Sequence, residues 1–170
     1  MLKALEGQKR EVESWIEENY KSEALEILTS IPGCGTSAAT RILVEIGDPH
    51  RFSNANKIVA YAGLNPREVN TGNEGRKRRK GSGEEGKSWR MSKQGNSRLR
   101  HMLYLVALQA VQRDEGLRSF YQKKLRGGNG HAAKKPKVAL GHCMKKLLVV
   151  MWTLLKKNER YDSDKIRVAA

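Results

Sequence analysis

Two stretches of this sequence carry groups suited to phosphate. Residues 30–43 read SIPGCGTSAATRIL. Pro32 stops any preceding helix, Gly33 and Gly35 permit a tight turn, and Thr36 opens a new helix whose apolar positions Ala38, Ala39, Ile42 and Leu43 follow a near-3.6-residue period. A helix start offers unpaired N–H groups and a positive dipole end, and glycines let a phosphate approach the backbone. Residues 66–95 read PREVNTGNEGRKRRKGSGEEGKSWRMSKQG. This segment concentrates cations at Arg76, Lys77, Arg78, Arg79 and Lys80, flanked by Arg67, Arg90, Lys93, Arg98 and Arg100. An arginine fork binds phosphate in two places and could neutralise a scissile phosphodiester. The same side chains also serve as ordinary backbone contacts. His101 and His142 could act as general acids or bases, but both are expected on helices among apolar residues, where a structural role is the better reading.

The positions Leu28, Ile31, Pro32, Gly33, Gly35, Ala38 and Ile42 resemble the helix-hairpin-helix motif of non-sequence-specific DNA binders. The competing reading is a helix–turn–helix corner with structural glycines. Composition favours a polyanionic partner: 170 residues carry a net charge of +15 and a pI near 10.0. Aromatic residues are only 6%, which disfavours a base-stacking platform. Cys34 and Cys143 have neither pairing nor metal spacing and read as reduced apolar residues. No apolar run of membrane length and no signal peptide is expected, which predicts a cytoplasmic protein.

The elements that must position these groups are helical, so the predicted fold is all-α, an irregular bundle containing the helix-hairpin-helix and a long basic loop. A linker or coiled-coil-like helix covers residues 1–22, a helical domain residues 23–162 (hairpin 28–43, basic loop 66–95), and a disordered tail residues 163–170, with fraying from Tyr161 onward. Ser53 is the expected cap of a helix burying Ala55, Ile58, Val59 and Ala62. Arms over residues 67–70 and 88–92 are a candidate β-hairpin. A final helix opened by Pro136 is apolar on a broad face, Val138 included, and is expected at the centre of the core.

In chain order, LTSIPGCGTSAATRILVEIGDPHRFSNANKIVAYAGLNPR, TG, MSKQGNSRLRHMLYLVALQAV and KKPKVALGHCMKKLLVVMWTLLKKNERYD resemble the C-terminal transposase domain of the Piv-like (DEDD-type) insertion-sequence transposases. These are bridge-RNA-guided serine recombinases. The resemblance covers residues 25–162 and implies a DNA-binding and strand-exchange domain acting through a covalent hydroxyl–phosphate intermediate. It further implies a RuvC-like domain with acidic Mg2+ ligands that nothing in this chain matches and a guide RNA, with no metal held here; a homo-oligomer, from the apolar seam of residues 1–20, and nucleoid association are separate expectations. The family's nucleophilic serine lies in a Ser-Gly pair, and the matching pair here is Thr71-Gly72. Threonine keeps the hydroxyl but adds a methyl that stiffens χ1. Ser92, in MSKQGN, is the alternative nucleophile. Two other classes stay open: a non-catalytic nucleic-acid-binding module, and a ribosome-associated or RNA-chaperone-like protein.

Overall fold

The structure, a computed structural model, describes Gly7, Glu11 and residues 22–69, 88–127 and 132–163. The expected helix over residues 1–20 lies outside these apart from Gly7 and Glu11, both helical.

α1 (Glu23–Thr29) starts where Ser22 Oγ accepts from Leu25 N at 3.2 Å. Seven residues cannot hold a helix in water, so α1 depends on burying Leu25, Ile27 and Leu28. Pro32 ends the segment, and a turn with Gly33 at φ +90° leads into α2 (Thr36–Ile46). Ala39, Ile42 and Ile46 bury its inner face, and Gly47 at φ +62° terminates it. A 3₁₀ turn (Pro49–Arg51) follows, then α3 (Ala55–Tyr61). The cap of α3 is Asn54, not Ser53: Asn54 Oδ1 accepts from Lys57 N at 3.1 Å. Ile58, Val59 and Ala62 are fully buried as expected, whereas Ala55 is half-buried.

β1 (Pro66–Val69) and β2 (Ser88–Met91) pair antiparallel, each close to its expected arm. α4 (Ser97–Arg113) is capped by Asn96, whose Oδ1 accepts from Leu99 N at 3.0 Å. Asp114 closes α4 and caps α5 (Glu115–Arg126), accepting from Leu117 N at 2.6 Å. α6 (Pro136–Lys157) has proline in its first turn and ends on Asn158 in the left-handed region.

The fold is therefore all-α with one small two-stranded ribbon. α4 and α6 pack together at its centre, with α2 against α4, α3 against α6 and α5 against both. Leu99, Leu103, Leu147, Leu148 and Met151 are fully buried there, each stabilising by about 1.5–3 kcal/mol relative to exposure. By length and mean composition α6 is long and apolar enough to cross a membrane, because α1, α3, α4 and α5 all cover it and it is apolar on most sides; as expected, it holds no continuous apolar run of membrane length, since Lys145 and Lys146 interrupt it. Val138 is 48% exposed rather than buried.

The chain beyond α6 does not fray at Tyr161. Tyr161 N donates to Ser30 Oγ at 2.9 Å, Arg160 pairs with Glu26 at 2.6 Å, and Asn158 donates to Glu23. Cys34 and Cys143 are buried thiols, and burial pushes them up to about 12 and about 11 respectively.

Candidate nucleic-acid interface

The two hairpin glycines have different surroundings. A Cβ on Gly33 would stand 2.7 Å from Ala110 N and 2.9 Å from Gln109 Cβ. The close approach this glycine permits is thus to the protein's own α4. A Cβ on Gly35 would meet nothing within 4 Å. Gly35 is exposed and precedes α2 with no side-chain cap, so it and Thr36 stand at a helix start that presents N–H groups outward.

The ribbon gathers the next set of cations. Its register is Pro66↔Met91, Arg67↔Arg90, Glu68↔Trp89 and Val69↔Ser88. Arg67 and Arg90 are exposed and directly opposed, and like charges so placed destabilise a strand pair unless an anion sits between them. The register also joins both ends of residues 70–87. Thr71, Arg76, Lys77, Arg78, Arg79 and Lys80 lie in that segment, outside the described residues.

Backbone crossings anchor the ribbon to α3 and α4. Ser92 N donates to Asn65 O at 2.8 Å, Lys93 N to Gly63 O at 3.1 Å and Asn96 N to Tyr61 O at 2.7 Å. Gly95 at φ +143° stands beside the last crossing, where a Cβ would clash with Tyr61 O. Ser92 Oγ accepts from Gln94 N at 3.2 Å and so holds its own turn. Lys93 is exposed with φ 56°.

The two arginines at the start of α4 differ. Arg100 Nη1 donates to Ala62 O at 3.0 Å, within the junction. The Arg98 side chain is 87% exposed and reaches Glu45 at 4.0 Å. Around Glu45 lies a polar knot that the sequence did not disclose. Asn96 Nδ2 donates to Glu45 Oε2 at 2.7 Å and to the Tyr61 hydroxyl at 3.1 Å, and Tyr61 donates to Glu45 O at 3.0 Å. Arg51 stacks on Phe52 and Tyr61 at 4.6 and 4.7 Å. Hydrogen bonding from Asn96, then from Arg51, draws the Tyr61 phenol below its ordinary range. Asn96 was recognisable as a helix start, but its pairing with a side chain 51 residues away was not.

A cleft of about 500 Å³ opens beside this knot between α2 and α4, lined by Thr40, Val44, Glu45, Arg98, His101 and Met102 among others. His101 is exposed at its edge. His142, expected on a helix among apolar residues, lies on α6 with its residue surface exposed, and partial desolvation of the ring, then the nearby cations Lys124, Lys134 and Lys145, lower its pKa from 6.5. Among the described residues no group of three or more His, Cys, Asp or Glu could hold a metal ion.

A family model described as "Transposase IS116/IS110/IS902 family" matches residues 25–122, more than half the chain. The chain belongs to this family. The match runs from α1 through most of α5 and includes the ribbon. The IS116/IS110/IS902 member described here is 31% identical over 152 residues to the mini-circle putative transposase for IS117 of Streptomyces coelicolor, covering 88% of this chain and 33% of that protein. It is 27% identical over 163 residues to the insertion element IS110 uncharacterized 43.6 kDa protein of the same organism, covering 95% and 36%. It is 26% identical over 145 residues to the pilin gene-inverting protein of Moraxella lacunata, covering 85% and 39%. The chain spans about a third of the length of these curated relatives.

Proposed function

We propose that this chain is the DNA-binding and strand-exchange portion of a transposase or site-specific recombinase. It works with a RuvC-like metal-binding domain, a guide RNA and further copies of itself on nucleoid DNA in the cytoplasm. What carries the proposal is the opposed pair Arg67 and Arg90 at the base of residues 70–87, in a member of a transposase family. A phosphate between these guanidiniums would relieve their repulsion and place the backbone beside the segment that holds Thr71. Gly35 and Thr36 would grip a second point on the same backbone through main-chain N–H groups, with Lys93 and Arg98 as further contacts.

The chemistry follows from a hydroxyl next to a neutralised phosphate. Oγ1 of Thr71 attacks phosphorus, the bond to one deoxyribose oxygen breaks, and that oxygen leaves as a hydroxyl with the threonine proton. One phosphodiester is exchanged for another, so the reverse attack reseals DNA without a high-energy cofactor. The arginines stabilise the charge that develops on the phosphate. Mg2+ in the RuvC-like domain would supply Lewis-acid activation.

The test is a suicide DNA substrate offered to the chain with that domain and guide RNA. Thr71→Ala abolishes the covalent adduct, Thr71→Ser keeps or raises it, and Ser92→Ala leaves it. An adduct lost only in Ser92→Ala moves the nucleophile to Ser92. Absence of adduct in every variant, Thr71→Ser included, leaves a non-catalytic binding module, the reading favoured by threonine standing where the family has serine.

A further inference from the structure

From Gly116 to Asn158 the chain contains no aspartate or glutamate, and most of this stretch forms α5 and α6, which pack against each other. Lys134 N donates to Lys124 O at 3.0 Å, so the segment entering α6 lies along the last turns of α5. On α6, His142 and Lys145 are three residues apart and share a face. Lys124, Lys134 and Lys145 all bear on His142. Beneath them, the Lys146 and Lys124 ammoniums approach the Phe120 ring at 4.6 and 5.2 Å. Lys146 Nζ is buried without a hydrogen-bond partner; burial first, with Lys123 and Lys124, lowers its pKa against opposing contributions from Cys143 and Asp114. The cations thus come from three segments and converge around the Phe120 ring. Within residues 116–158 no carboxylate is available to offset them.

We infer that the α5–α6 hairpin carries a second phosphodiester-binding surface, centred on Lys124, Lys134, His142 and Lys145, on which a nucleic-acid backbone lies. It does not depend on the ribbon reading, but it adjoins the ribbon: a Cβ on Gly141 would come 3.0 Å from Met91 Cε, so β2 meets α6 one residue from His142. A backbone leaving Arg90 would therefore find its next cations on α6. A phosphate seated among the three ammoniums also replaces a repulsive field at His142 with an attractive one and favours the imidazolium, which then donates to it. Duplex DNA and structured RNA offer the same phosphodiester, and the experiment separates them.

Binding of the full chain to a short labelled duplex and to a hairpin RNA is measured against salt, for the parent, for Lys124→Gln/Lys134→Gln/Lys145→Gln and for Arg67→Gln/Arg90→Gln. For the lysine variant the slope of log K against log salt shrinks by about 2–3 with DNA, or by about 2 with RNA if RNA is the occupant. A slope unchanged with both ligands overturns the surface, while loss in the arginine variant alone upholds the ribbon by itself. If the lysine variant does not fold by circular dichroism, the parent decides. The NMR titration midpoint of the His142 ring must rise when either oligonucleotide is added, and an unmoved midpoint overturns the inference.

Discussion

The Tyr161 hydroxyl donates to Asp114 Oδ2 at 2.8 Å, tying the chain beyond α6 to the joint between α4 and α5. Asp114 is 2% exposed and caps α5 with its other oxygen. Burial, reinforced by this bond, raises the Tyr161 pKa above the ordinary tyrosine range. Tyr161→Phe should cost about 1.5–3 kcal/mol, as for a hydrogen bond to a charged group. Asp114→Ala, which also removes a cap, should cost about 2–4 kcal/mol. Urea unfolding of both and of the double variant checks this: the two effects must fall short of additivity, because the residues share one bond.

The hairpin glycines should separate in stability. Gly33→Ala puts a methyl 2.7 Å from Ala110 N at φ +90° and should destabilise by at least about 2 kcal/mol. Gly35→Ala, in open space at φ −77°, should melt within a few degrees of the parent. Thermal unfolding followed at the helical band reads both. If Gly35→Ala folds yet binds DNA as well as the parent does, close backbone approach at that turn plays no part in the grip.

Arg98 and Arg100 look equivalent in the sequence and should not behave so. Arg100→Ala leaves Ala62 O without its 3.0 Å donor and should cost about 1–2 kcal/mol. Arg98→Ala removes an exposed, long contact and should shift stability by less than about 0.5 kcal/mol while weakening DNA binding. Chemical denaturation and anisotropy on the same two proteins test the assignment.

His142 makes free-state stability depend on pH. Its folded pKa lies below 6.5, through burial and then the surrounding lysines. The unfolded chain therefore binds the proton more readily. The contribution of this group is fully present above the ordinary histidine pKa and is lost as pH falls through that value toward the folded one. Denaturation midpoints at descending pH should fall for the parent and fall less for His142→Gln. With oligonucleotide bound, the difference between the two should shrink or reverse.

The helices were legible because their signals are local. Apolar spacing marked α2, and Pro136 marked the start of α6. Errors arose where two neighbours compete or where the deciding contact is distant. Ser53 and Asn54 are both capping residues, and only the backbone conformation picks Asn54. Gly33 reads as a space for phosphate until α4 occupies it. His142 has apolar neighbours in sequence, yet its residue surface is exposed on α6. Tyr161 was assigned to a loose end because Ser30 and Asp114, which hold it, are far back in the chain.

The ribbon register has a consequence for engineering. Val69 and Ser88 are cross-strand partners, so their α-carbons stand about 5 Å apart. The chain leaves the helical bundle and re-enters it at nearly one point. A spacing of that kind can be closed by a two-residue turn or by a folded insert whose termini are adjacent. Residues 70–87 therefore occupy an interchangeable port. Replacing them with Asn-Gly should yield a shortened bundle that still melts cooperatively, and grafting a different segment there would reprogram the chain without redesigning its core.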